Sequence, residues 1–180
     1  MRSVAFLRGI NVGGHRVTKN ELIEVFVSCG YEQVDTFLAS GNVLFASGFA
    51  SDQPPYRAVA EQLAVALETA LGYAVPTTIR SRSEVEELAA AEPFDADALE
   101  ASTGKPQVML LFEEPSSSAS REVLALGSDD DLLVLGDRAL HWLPSGGMSE
   151  SELDLGRIEQ LIGTNTIRTA NTIRRLVAKL

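Results

Sequence analysis

The order in which the hydrophobic pattern changes period constrains this chain most. Val4 to Leu7 is a short apolar run that reads as a strand. Thr18-Lys19-Asn20-Glu21 is a capping box that opens a helix. Leu22, Val25, Phe26 and Cys29 then recur at helical spacing, and Gly30 supplies the stop. Val34 to Leu38 and Val43 to Ala46 flank the turn Ser40-Gly41-Asn42, which predicts a hairpin. Pro54 and Pro55 open a second helix with Val59, Leu63, Leu67 and Leu71 inward and Gly72 at its end. Ala74 to Ile79 is a further strand. This β-α-β-β-α-β order predicts a ferredoxin-like, split βαβ arrangement over residues 1–81.

Residues 82–106 read as a linking helix, about Ser83 to Ala91 and opened by Ser83-Glu84-Val85-Glu86, followed by a polar loop or mobile helix. Residues 107–180 then repeat most of the order. Val108 to Phe112 is a buried strand, and Ser120 to Leu126 a short helix. Leu132 to Leu135 and Ala139 to Leu143 form a hairpin across Gly136-Asp137. Ser151 to Ile162 is a helix stopped by Gly163, and Thr164 to Arg168 is an extended piece that would supply the missing strand. A last helix carries Ile173, Leu176, Val177 and Leu180 on one face. The expectation is an α+β chain of two ferredoxin-like subdomains, the second partial, with a C-terminal helix. The echo is one of topology, with no matching sequence seen between the halves.

Composition narrows the function classes. The 180 residues carry 15 Lys plus Arg against 25 Asp plus Glu, a net charge of −10. That balance argues against broad binding to nucleic acid or anionic membrane, both polyanions. The acidity is local. Residues 82–155 hold 4 basic and 17 acidic side chains, whereas residues 156–180 hold 5 and 1. No apolar run approaches a membrane span or a signal-peptide core. Cys29 is the only cysteine, which excludes an intrachain disulfide and a cysteine-based zinc site. It is expected as a small core residue. The default expectation is a cytoplasmic protein, with no oligomeric state implied.

Topology brings three features to one pole. In the predicted arrangement the first two strands run in the same direction, and the first helix starts where they end. Arg8 with the loop Gly9-Ile10-Asn11-Val12-Gly13-Gly14, the turn Ser40-Gly41-Asn42 and the helix start near Thr18 therefore converge. Helix-start N–H groups, close-approaching glycine backbone and a guanidinium together describe an anion pocket. Gly9 and Gly14 have phosphate-loop spacing, but His15 and Arg16 follow where Lys and Ser or Thr should stand. A nucleotidase or dinucleotide reading thus has little support. The bland alternative is that the glycines only shape a wide turn, with Asn11 and Asn42 bonding local backbone.

Three segments carry a family resemblance. They are Phe6-Leu7-Arg8-Gly9-Ile10-Asn11-Val12-Gly13-Gly14, Thr36-Phe37-Leu38-Ala39-Ser40-Gly41-Asn42-Val43-Leu44-Phe45 and Thr166-Ile167-Arg168-Thr169-Ala170-Asn171-Thr172-Ile173. Together they resemble the signatures of the domain-of-unknown-function 1697 family. In the third, the family has an Asn-Trp pair where this chain has Thr169 and Ala170, so the aromatic is missing. The resemblance implies a bacterial cytoplasmic protein of two ferredoxin-like subdomains and implies no activity.

Other chemistry is thinly represented. His15 and His141 are the only histidines, and no H-E-x-x-H spacing exists to make a metal site. His15 is the one acid–base candidate near the pole. No G-x-S-x-G elbow occurs, and Asp129-Asp130-Asp131 lacks the glycine and glutamate of a calcium loop, reading as a solvated turn. Phe6 and Phe45 are expected in the core rather than as an RNA platform. No cofactor or catalytic residue is implied. The leading expectation is a small-molecule binding protein taking an anion or phosphate-bearing ligand. Its candidate site is Arg8, Asn11, Gly13, Gly14, Ser40 and Asn42, with Arg168 and Asn171 added if the last helix docks beside Arg8. The alternatives are an enzyme acting on a phosphorylated small molecule at that pole, and a protein-interaction module whose motifs only fix loops.

Overall fold

The computed structural model describes residues 2–39, 41–46 and 56–180. Ser40, Pro54 and Pro55 therefore lie outside the described residues. The chain is α+β and divides into two compact units. One is Met1–Leu88 with Arg175–Leu180, and the other is Ala89–Arg174.

The first unit contains β1 (Arg2–Leu7), α1 (Lys19–Ser28), β2 (Glu32–Thr36), β3 (Asn42–Ala46), α2 (Tyr56–Leu71), β4 (Thr77–Ser81) and α3 (Arg82–Ala90). Its sheet has the order β2-β3-β1-β4, with every pairing antiparallel. Strand alternation sends Ala5, Leu7, Val43, Phe45 and Ile79 to one face, where Leu22, Phe26, Leu63 and Leu67 from the two helices cover them. Phe26 and Tyr31 both meet the Phe45 ring edge-on, with centroids 5.4 and 4.9 Å away. Cys29 is half-buried and packs against this core. The Thr18 capping box forms as expected: its hydroxyl accepts from Glu21 N–H at 3.2 Å, and the Glu21 carboxylate accepts from Thr18 N–H at 2.7 Å.

Two strand positions differ from the sequence expectation. β2 ends at Thr36 instead of Leu38. Its pairing slips between Glu32 and Asp35, where Gln33 takes φ +50°, so the strand starts and stops early around a bulge. β4 starts at Thr77 instead of Ala74. Pro76 has no N–H for the ladder, and its carbonyl accepts from Arg8 N–H at 2.9 Å. The cap of α3 is likewise Ser81, not Ser83: Ser81 Oγ accepts from Glu84 N–H at 3.1 Å and Glu84 Oε2 from Ser81 N–H at 2.7 Å.

The second unit holds α4 (Ala96–Ala101), β5 (Gln107–Leu111), α5 (Ser117–Leu124), β6 (Asp131–Gly136), β7 (Ala139–Pro144), α6 (Leu155–Ile162), β8 (Asn165–Thr169) and the start of α7 (Ala170–Val177). Its sheet is again fully antiparallel, in the order β6-β7-β5-β8. Met109, Leu111, Leu140 and Trp142 pack beneath Val123, Ile158 and Ile162. The polar stretch after residue 95 forms α4, capped by Asp95 Oδ1 on Ala98 N–H at 2.8 Å. α6 starts at Leu155 rather than Ser151, because Asp154 is its cap and Ser151 is engaged elsewhere.

The halves also match in sequence, contrary to expectation. Thr78-Ile79-Arg80-Ser81 and Thr166-Ile167-Arg168-Thr169 close the two sheets in the same register. Arg80 pairs across from Val4, and Arg168 from Val108. Each guanidinium Nη1 donates to the threonine hydroxyl two residues back, at 2.7 and 2.9 Å, and to the intervening isoleucine carbonyl, at 3.0 and 2.8 Å. Each motif's last hydroxyl then caps the following helix, Ser81 on α3 and Thr169 on α7.

Candidate functional site

The Asn11 side chain ties the β1–α1 loop to the hairpin turn. Asn11 sits in the left-handed region at φ +56° and bridges two segments. Its Oδ1 accepts from Val17 N–H at 2.9 Å, and its Nδ2 donates to Ala39 O at 2.8 Å. Gly41 closes the hairpin turn against the loop. Its carbonyl accepts from Leu7 N–H at 2.8 Å. A Cβ at Gly41 would lie 3.0 Å from Ile10 Cγ1 and from Leu7 Cβ, at φ +73°, so the position demands glycine.

Between loop, turn and helix start lies a groove of about 350 Å³ within the first unit. Asn11 and Val17 come from the loop, Lys19 and Leu22 from α1, and Thr36, Leu38, Ala39 and Gly41 from the end of β2 and the turn. Among the described residues its single lining cation is Lys19, the first residue of α1. A helix start carries positive partial charge and favours acidic side chains, so a lysine stands against the macrodipole at this place. Asp35 offsets it at 2.6 Å, and that hydrogen bond holds the Asp35 carboxyl below its ordinary range. An ammonium has three donors. The Glu21 carboxyl is also lowered, first by Thr18 N–H and then by the Thr18 hydroxyl. Leu38 lines the groove with φ +60° and 47% of its surface exposed. Beside it, the Arg175 guanidinium lies over the Phe37 ring at 5.1 Å.

The expected site residues have different local surroundings. Asn11 lines the groove, with both amide ends committed to backbone. Asn42 is fully buried in β3, and its Nδ2 donates to Phe37 O at 2.8 Å. Arg8 is half-buried and is not among the groove's lining residues. Gly13 and Gly14 are exposed, at φ +61° and +91°. A Cβ added at either would meet no heavy atom within 4 Å, so they serve the turn's conformation rather than a tight approach. Arg168 is in β8, not at a helix start, and is 7% exposed, with its Nη1 donating to Thr166 Oγ1 and Ile167 O. Burial lowers its guanidinium to about 10. Asn171 is exposed in the first turn of α7, whose cap is Thr169. His15 stacks on Tyr73 at 4.0 Å and does not line the groove.

Lys19, Thr36 and Leu38 escaped the sequence reading as site residues. Their signal was nevertheless present, since Lys19 directly follows the cap and Thr36 to Leu38 open the second signature. Asp131 was expected in a solvated turn. It is buried, and one oxygen accepts from Trp142 Nε1 and Ser151 Oγ, each at 2.7 Å. Phe6 and Phe45 are fully buried. A second groove, of about 490 Å³, lies in the other unit at the β5–α5 loop, with Glu113 and Glu114 in its wall. Among the described residues no cluster of three metal-ligating side chains occurs, and no helix is long and apolar enough to cross a membrane.

Comparison with known proteins agrees with this architecture. The family described as "Protein of unknown function (DUF1697)" matches residues 1–141. A solved structure, a conserved bacterial protein from Streptococcus pneumoniae, superposes with a TM-score of 0.71 at 21% identity, covering 99% of this chain and 97% of that one. At that identity the likeness establishes the fold. Comparison with curated proteins found no match.

Proposed function

The chain belongs to the DUF1697 family, and from that premise we propose that it binds a small molecule carrying an anionic group in the groove between the β1–α1 loop and the β2–β3 turn. The observation that carries the proposal is Lys19. It is a cation at a helix start, where helix stability favours an acid, and it faces a groove within the size range of small-ligand pockets. Asn11 and Gly41 hold the walls in place before any ligand arrives. Binding is favoured over catalysis because His15 is stacked on Tyr73 away from the groove.

Each unit is, in this reading, a ferredoxin-like domain, as the shared strand order supports. A cytoplasmic setting suits the single half-buried cysteine, and the net charge of −10 disfavours nucleic acid as a partner. The interaction-module reading also has a specific observation behind it: the amides of Asn11 and Asn42 are committed to backbone.

Titration with acetate and inorganic phosphate, followed by amide chemical shifts, separates the two. Ligand binding moves residues 17–22 and 36–41 saturably, and Lys19→Met weakens it at least tenfold, as loss of a charge-assisted bond predicts. Shifts absent from those residues would favour the interaction module.

A further inference from the structure

Resting on that reading, we propose that the groove is built for an amphipathic monoanion, with an acid group at Lys19 and an apolar body against Leu38, which sets its specificity. Leu38 lies at φ +60°, a backbone region that bulky side chains rarely adopt, yet 47% of it is exposed. Strain of this kind persists where the surroundings impose it, and it collects at ligand contacts. Here it turns a leucine into the groove wall, where Val17, Leu22 and Ala39 continue the apolar surface.

The polar groups point the same way. Asn11 already satisfies Val17 N–H and Ala39 O, which leaves Lys19 and the Thr36 hydroxyl as the lining side-chain donors for a ligand. A fixed carboxylate stands beside Lys19, that of Asp35 at 2.6 Å. One negative charge on the ligand can share the ammonium with Asp35. A second or third would meet the fixed Asp35 carboxylate at short range. A di- or triphosphate therefore fits poorly, whereas a short-chain monocarboxylate meets every feature of the wall.

The test uses the full chain and the series acetate, butyrate and hexanoate, with inorganic phosphate and hexanol alongside, read as shifts at residues 17–22 and 36–41. Affinity should rise about fourfold per methylene until the groove is filled. Leu38→Asn, a residue that tolerates left-handed backbone, should lower the hexanoate-to-acetate affinity ratio at least tenfold while the thermal midpoint shows the chain folded. A flat series, phosphate binding tighter than hexanoate, or a ratio unmoved by L38N would overturn this inference and leave anion binding standing. Failure of every anion to bind, or hexanol binding as tightly as hexanoate, would overturn the anion reading itself.

Discussion

Asn11, Asn42 and Asp131 show how one polar side chain decides local structure. An amide bridging two loops and an amide buried under its own hairpin satisfy backbone groups that would otherwise lack partners. Backbone bonding by the two amides was legible in the sequence as one alternative, and the Asn11 partner Ala39 was not, because a partner 28 residues away is set by the closed fold. Asp131 is the clearest case. It sits in a run of three aspartates, which suggests solvent. Strand alternation, however, puts it on the face of Leu133, diagonal to Trp142, and there it accepts the indole N–H. Asp131→Ala leaves that buried donor orphaned and should cost about 2 kcal/mol in urea unfolding. Asp131→Asn keeps an acceptor and should cost less. Trp142, the only tryptophan, reports both by fluorescence. An Ala variant as stable as the parent would refute the role.

Elements were legible wherever periodicity was long. The helices carrying Leu22, Phe26, Leu63 and Leu67 stand where their apolar stripes placed them. Ends went astray where a local device intervened: a bulge in β2, a proline before β4, an aspartate cap on α6. The β5–β7 pair supplies a pH-dependent prediction. His141 is opposite Val108 and Val134, and burial lowers its pKa from the ordinary value of 6.5. A base with a depressed folded pKa takes up its proton more readily when unfolded. Its contribution to stability is therefore whole above pH 6.5, and it is lost as pH falls through the lower folded value. Unfolding free energy should drop between pH 7 and pH 5, and His141→Gln should flatten that part of the profile. Parallel profiles for the two proteins would contradict it.

At the scale of the whole molecule, the chain's last residues belong with its first unit. Arg175 covers Phe37, Arg2 Nη1 donates to Lys179 O at 2.6 Å, and Arg82 Nη1 donates to Leu180 O at 3.0 Å. Truncation after Arg174 removes all three, together with buried Leu176. Hydrogen exchange should then quicken by tenfold or more in β1, β2 and the Phe37 turn, since each lost interaction contributes on the order of 1 kcal/mol. Unchanged protection there would show that the tail stabilises nothing. The sequence by itself determined one β-α-β-β-α-β run and most of a second, because hydrophobic period and capping chemistry are local. It also located the acidity in the middle of the chain and the signatures towards its ends. Tertiary structure alone decided which residues make the groove. Lys19, Thr36 and Leu38 meet Asn11 only once β1, β2 and α1 share a pole. Asn42 is committed to the sheet interior by strand register and burial, which are long-range properties that no local pattern encodes.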